Sequence, residues 1–213
     1  VEGYAACRKI AILASLMSGK SVDYKDIYTE GITKLTAEDF LYAKKMGRTI
    51  KLLAMSKLTE DGYLAMVAPV LIGEKSPLYH VSGVFNGIFV KGNMLGDSMY
   101  YGSGAGKLPT ASAVVADVVE AGRFPGKHLP IDWSEEKAAL ADLSLSRRRF
   151  FVRFDRNKVP EAKAAAEFGN GRVVFLEECP EEYGYITPEM SEKEFAGKFE
   201  GMDGAIARIR IEE

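Results

Sequence analysis

Apolar residues recur every three or four positions over residues 4–18, YAACRKIAILASLMS, which predicts a helix stopped by Gly19. Thr36, with Asp39 three residues on, forms a capping-box pattern that opens a second helix, AEDFLYAKKM, closed by Gly47. The rhythm then changes to strand-like runs. RTIKLLAMSKL, the turn at Asp61-Gly62 and YLAMVAPVLI predict one hairpin. After Ser76-Pro77 and a short helix or turn, GVFNGIFVKG and LGDSMYYG predict a second. A glycine loop runs into a helix over 110–121, and Pro125, Pro130 and a short helix near 134–142 close the segment.

From there the elements are shorter and alternate. RRRFFVRF reads as a strand, PEAKAAAEFG as a helix, GRVVFLEE and EEYGYIT as two strands. SEKEFAGKFEG reads as a helix with a capping box from Ser191 to Glu194, and AIARIRIEE as a last strand. The order β-α-β-β-α-β predicts a ferredoxin-like split unit. The fold class is therefore α+β, with a boundary near residue 145 separating domains 1–145 and 146–213.

Bulk properties narrow the function classes. The 213 residues are 47% apolar, enough for a real core, with a net charge of −2. No broad basic field exists to hold nucleic acid, and Arg147-Arg148-Arg149 reads as a sheet edge or salt-bridge partner. No apolar run is long enough to span a membrane. Cys7 and Cys179 have neither metal-ligand nor disulfide spacing, and Cys7 reads as a small buried hydrophobe. Glu177-Glu178 and Glu181-Glu182 read as a solvated acidic loop, and His80 and His128 are too far apart in sequence to suggest a metal site. These features point to a cytoplasmic protein. A chain that opens at Val1 and enters a helix within a few residues reads as a part of something longer.

The densest chemistry lies in GSGAGKLPTASAVVAD, residues 102–117. A Walker loop needs Gly-x-x-x-x-Gly-Lys-Ser/Thr, but Tyr101 stands where its first glycine belongs and Leu108 follows Lys107. Gly102, Gly104 and Gly106 are spaced Gly-x-Gly-x-Gly, which is not the dinucleotide fingerprint either. Alternating glycines nonetheless let backbone approach a ligand, and the helix that follows offers free N–H groups. A carboxylate, a phosphate or a carboxamide would suit that end. A tight strand-to-helix turn would leave the same sequence trace. Asn86, in the preceding strand, is a polar group that needs a partner, and the glycine loop is a candidate.

The run GVFNGIFVKGNMLGDSMYYGSGAGKLPTASAVVADVV resembles the catalytic domain of homoserine dehydrogenases. VEGYAACRKIAIL and EGITKLTAEDFLYAKKMGRTIKLLA resemble two further segments of that family, so the likeness covers residues 1–145. It implies a GAPDH-like catalytic domain, a mixed sheet with helices on it, and NADPH- or NADH-dependent reduction of aspartate semialdehyde to homoserine. That step leads toward threonine, methionine and isoleucine. The family's catalytic lysine falls on Lys9, whose ammonium would stabilise and protonate a developing alkoxide, with burial lowering its pKa. Gly104, Ala105 and Gly106 fall on the family's cofactor loop, with Lys107 and Thr110 beside them. Homodimers are expected.

Three departures stand beside the resemblance. The family's aspartate four residues before the lysine is Ala5, its other substrate-binding acids would precede Val1, and its dinucleotide domain has no counterpart. The chain alone is therefore expected to be inactive. The 146–213 unit resembles an ACT domain, an amino-acid sensor, but FDRNKVPEAK lacks the glycine of the family's ligand loop. That implies a fold kept for packing while effector binding is lost. The alternative reading is a non-catalytic paralogue that senses an amino acid or dimerises.

Overall fold

In the computed structural model the described residues are 1–127 and 133–212, and they form two compact units. His128 and Pro130 lie outside them. Val1–Gly73 with Asp132–Glu213 make one unit, and Glu74–Ile131 the other. In chain order the first unit opens with α1 (Tyr4–Ser18), β1 (Lys20–Ser21), β2 (Tyr28–Thr29), α2 (Ala37–Lys45), β3 (Arg48–Thr59) and β4 (Gly62–Gly73). The second holds β5 (Phe85–Gly92), β6 (Gly96–Ser103) and α3 (Lys107–Arg123). The first resumes with β7 (Ser134–Lys137), β8 (Arg147–Asp155), α4 (Glu161–Phe168), β9 (Arg172–Val174), β10 (Glu182–Ile186), β11 (Met190–Ser191), α5 (Glu192–Glu200) and β12 (Ala205–Ile211).

The mixed sheet of the first unit runs β2-β4-β12-β8-β10-β9, with β3 along the other edge of β4. Its last four strands are antiparallel in the order β12-β8-β10-β9, as a ferredoxin-like unit arranges strands four, one, three and two. β12 then joins β4 in parallel, Arg210 opposite Val70 and Ile211 opposite Leu71, so one sheet crosses residue 145. Residues on both sides of position 145 thus fall in the first unit.

Period-two alternation places Phe150, Val152 and Phe154 of β8 in one core and Phe151 in another. The first core adds Phe168 of α4, Phe195 of α5, Tyr183 and Tyr185, and stacks Phe150 on Phe195 with ring centroids 3.7 Å apart. α1 packs on β3 and β4 through Cys7, Ile10, Ala11 and Ala14, the helical i, i+3, i+4, i+7 spacing. This leaves Ala5, Lys9, Ile12 and Leu16 exposed along the opposite stripe.

Three local expectations change. Residues 134–142 do not form a helix: Ser134–Lys137 is a strand in parallel pairing with β1, tied by the Ser134 N–H to the Gly19 carbonyl at 2.9 Å. Tertiary pairing overrides the helix-forming Glu-Glu-Lys run. The strand expected over GRVVFLEE ends at Val174, and Leu176 turns into the core. The Ser191 cap is present, its hydroxyl accepting from Glu194 N–H at 3.1 Å, but the Glu194 carboxylate pairs with Lys198 instead of closing a box.

In the second unit β5 and β6 form a regular hairpin from Phe85↔Ser103 to Gly92↔Gly96. Phe85 stacks on Tyr101 at 4.9 Å. None of its described residues is buried.

Candidate active site

The sequence-predicted residues fall in both units. Lys9 is on α1 and Gly104, Ala105 and Gly106 lie between β6 and α3. Ala5 precedes Lys9 by one helical turn, so the two share a face. Arg8 is committed elsewhere, its guanidinium 5.2 Å above the Tyr24 ring. Lys9 makes no ion pair with a described residue and its side chain is exposed, so the burial expected of it is not supplied by these residues.

The helix that carries Lys9 starts on Gly3, at φ +86°, a left-handed backbone that disfavours a side chain. α1 has no acidic residue in its first turn and no side-chain cap. A carboxylate at position 5 would fall in this first turn, where it suits the helix end. Cys7, 1% exposed, donates its thiol to the Tyr24 carbonyl at 3.2 Å and acts as the small buried residue its setting suggested.

At the glycine loop, Gly104 N–H donates to the Val84 carbonyl at 3.1 Å. A Cβ on Gly104 would come 1.6 Å from the Asn86 Nδ2, so Asn86 and the loop are packed together as expected. Gly106 has φ +122°, open to glycine alone, and its carbonyl takes the Thr110 N–H at 3.2 Å to start α3. The N–H groups of Lys107 and Leu108 precede the first intrahelical bonds. A Cβ on Gly102 would meet nothing within 4 Å. This end offers glycine backbone and free N–H groups, which a carboxylate, a phosphate or a carboxamide would suit.

Two charged clusters behind α1 and α2 escaped the sequence reading. Arg153 of β8, 2% exposed, reaches Asp39 at 2.9 Å, the Thr36 hydroxyl at 2.7 Å and Glu182 at 3.1 Å. The Asp39 carboxylate also accepts from Thr36 N–H at 2.9 Å, so the capping residue doubles as a counter-ion. Tyr42 of α2 lies beside this cluster. Burial first, then the charges of Glu182 and Cys179, push its phenol up to about 12. The second cluster joins Arg210 to Glu192 and Glu30. The arginines stand between apolar residues in both strands, but nothing local to them marks the distant carboxylates they meet. Of the basic run before β8, Arg148 pairs with Glu192 at 3.0 Å and Arg147 with Glu189 at 3.5 Å, salt-bridge partners as read.

Among the described residues no group of three or more His, Cys, Asp or Glu side chains could hold a metal ion, and Glu181 and Glu182 are engaged with Asn157 and Arg153. His80 packs edge-on against Tyr79. Among the described residues no helix is long and apolar enough to cross a membrane.

Residues 1–119 match the family model described as homoserine dehydrogenase. The homoserine dehydrogenase of Synechocystis is 48% identical over 123 residues, 56% of this chain and 28% of that protein. That of Mycobacterium bovis is 38% identical over 186 residues, 83% of this chain and 42% of that protein. The crystal structure of the Thiobacillus denitrificans homoserine dehydrogenase superposes on the whole chain with TM-score 0.82 and 29% identity, over 54% of its own length. The Staphylococcus aureus homoserine dehydrogenase at pH 6.0 gives 0.74 and 28%, also over 54%. The chain thus spans about half the length of these solved relatives, and less of the curated ones.

Proposed function

The chain belongs to the homoserine dehydrogenase family, and from that premise we propose that it forms the catalytic part of an NADPH- or NADH-dependent enzyme reducing L-aspartate 4-semialdehyde to L-homoserine in the cytoplasm. Residues 1–145 are its catalytic domain and 146–213 an ACT-like unit. What supports the reading is that the matched segment, residues 1–119, contains both Lys9 and the Gly104–Gly106 loop.

When bound, the cofactor supplies the hydride. The chain's own residues do the rest. Gly104, Ala105 and Gly106 would hold the cofactor with their backbone, and the free N–H groups of Lys107 and Leu108 would bind a polar group on it. The Lys9 ammonium, free of any ion pair with a described residue, offsets the charge growing on the aldehyde oxygen and delivers its proton there. Ala5 leaves that ammonium without the carboxylate one turn away. Two copies of the chain pair to cover apolar positions of the hairpin such as Ile88, Val90 and Tyr100, all exposed in one copy.

The test is NAD(P)H absorbance with the product of the complete gene. Lys9→Ala is expected to lower kcat by about a thousandfold, as loss of an oxyanion-stabilising donor does. Ala5→Asp is expected to raise it, while residues 1–213 alone turn over no substrate. Wild-type activity in Lys9→Ala would overturn the assignment.

A further inference from the structure

The support beneath the start of α1 is built in layers. Gly3, the residue before α1, lies against Thr29 and Glu30: a Cβ there would come 3.0 Å from the Thr29 Cγ2 and 3.5 Å from the Glu30 carbonyl oxygen. Gly31 lies against the residues before Gly3, its would-be Cβ 2.5 Å from the Val1 carbonyl oxygen and 2.7 Å from the Glu2 Cα. The Ile32 N–H donates to that same Val1 carbonyl at 3.0 Å. Residues 29–32 are therefore the seat on which the chain enters the Lys9 helix, and no side chain other than hydrogen fits at position 31.

That seat is held by backbone pairing to β4, Glu30 N–H donating to the Val67 carbonyl at 2.8 Å, and from below by a guanidinium on the Glu30 carboxylate. Arg210 of β12, 2% exposed, grips Glu192 with two donors, Nε at 2.6 Å and Nη2 at 2.9 Å. The two-point grip fixes the plane of the fork and aims its remaining arm, Nη1, at Glu30 Oε2, 2.6 Å away. Tyr28 reinforces the contact: its hydroxyl donates to Glu30 at 2.9 Å and its ring lies 4.9 Å under the guanidinium. Arg208 reaches the same carboxylate oxygen at 3.1 Å. Burial alone would raise the Glu30 carboxyl, but Arg208 and then Arg210 hold it below its ordinary value. Glu192 opens α5, where a carboxylate is favoured by the helix end, so the anchor is itself anchored.

Buried ion pairs of this kind are weak sources of net stability, and their better-attested use is to fix one arrangement. Here the arrangement fixed is the height and register of residues 29–32. We infer that Arg210 is a positioning residue for Lys9, acting through Glu30 and the backbone of residues 1–3. The inference rests on Lys9 as the reacting ammonium. It makes the last strand of the 146–213 segment part of the catalytic geometry, through a contact between residues 180 apart in sequence.

The experiment uses Arg210→Lys, which keeps the charge but not the fork, and Glu30→Gln. The second leaves the Arg210–Glu192 pair intact and strands no buried carboxylate, so it tests the idea even where the first fails to fold. Amide hydrogen exchange on the chain is read at Ile32 and Cys7, whose N–H groups bond to Val1 and Gly3. Exchange there is expected to quicken about tenfold, with the β8 amides of Phe151 to Arg153 unchanged, as a local opening requires. In the product of the complete gene, Glu30→Gln is expected to lower kcat by at least about tenfold with KM little moved, because a small misplacement of a reacting group is felt in the transition state. Uniform quickening of all amides, unchanged exchange at Ile32 and Cys7, or an unchanged kcat would each overturn the inference. Lys9→Ala run alongside separates the two ideas. If it is silent while Glu30→Gln is normal, only the positioning role falls; if it is fully active, the assignment of Lys9 falls first and takes the positioning role with it.

Discussion

The two units solve the problem of apolar surface in opposite ways. In the first, β8 is covered on both faces, with a stack of aromatic side chains on one side and Tyr42, Phe151 and Ile209 on the other. Its charges are inside too, as Arg153 with Asp39 and Arg210 with Glu192 and Glu30. In the second, the hairpin and α3 bury nothing among the described residues, although Ile88, Val90, Val114, Val115 and Val118 are apolar. An isolated hairpin is marginal in water, and this one buries none of its described residues. The glycine loop sits in this second unit, and Lys9 on the first, which holds the buried cores.

The sharpest way to break that contrast is to cut equally deep in both. Phe150→Ala removes a ring stacked at 3.7 Å on Phe195 with no exposed surface. The loss expected is about 3–5 kcal/mol, a large share of the roughly 5–15 kcal/mol that holds a domain. Ile88→Lys, at a position 44% exposed, is expected to change the thermal midpoint of the chain little but to halve its mass in sedimentation, from two copies of 23.4 kDa to one. Equal destabilisation by the two, or a single copy before any change, would mean that the hairpin is not a paired surface.

A smaller cut separates function from stability inside the second unit. Gly104→Ala places a methyl group 1.6 Å from the Asn86 Nδ2. Because the obstacle is a side-chain end in an exposed hairpin, stability is expected to fall by less than about 1 kcal/mol. The loop must shift instead, and kcat/KM for the complete gene product is expected to drop about tenfold. Asn86→Ala leaves its Cβ 3.2 Å away and so makes room, and the double variant is expected to regain most of the loss. Failure of the rescue would show that Gly104 matters for its own backbone and not for the space Asn86 occupies.

Much of this was legible in the chain, and what was not shares one cause. The α1 stripe, both hairpins, the Thr36–Asp39 cap and the order of the C-terminal elements come from local period and punctuation, which sequence carries directly. The exposure of Lys9 did not follow, because the family likeness implied a buried lysine and the described residues leave it open. The parallel pairing of β12 with β4, the β1–β7 pair that replaced a helix at 134–142, and the partners of Arg153 and Arg210 are contacts between distant segments. No local pattern specifies them. AIARIRI reads as a strand with one wet face because its arginines alternate. Only the sheet shows that this face is closed by Glu30 and Glu192, and that charge there is structural.

The same closure makes the first unit sensitive to alkali in a way that can be measured. The Tyr42 hydroxyl is buried and makes no hydrogen bond to a described residue, and its phenol is pushed up to about 12 by burial and by Glu182 and Cys179. Tyr183, in the aromatic core, is also pushed up to about 12, by burial and Glu161. A tyrosine that ionises near 10 when unfolded and near 12 when folded favours the folded state fully below pH 10. That contribution is lost as pH rises through the folded value, by on the order of 1 kcal/mol per group near pH 11. Tyr42→Phe removes both the titration and an unsatisfied hydroxyl. It is expected to leave stability at neutral pH unchanged or slightly higher, and to flatten the decline between about pH 10 and 12 when the midpoint of urea unfolding is followed. The double variant with Tyr183→Phe is expected to flatten it further. A decline just as steep in both variants would place the alkaline weakness elsewhere, and the closed first unit would lose its claim to be the pH-sensitive half of the chain.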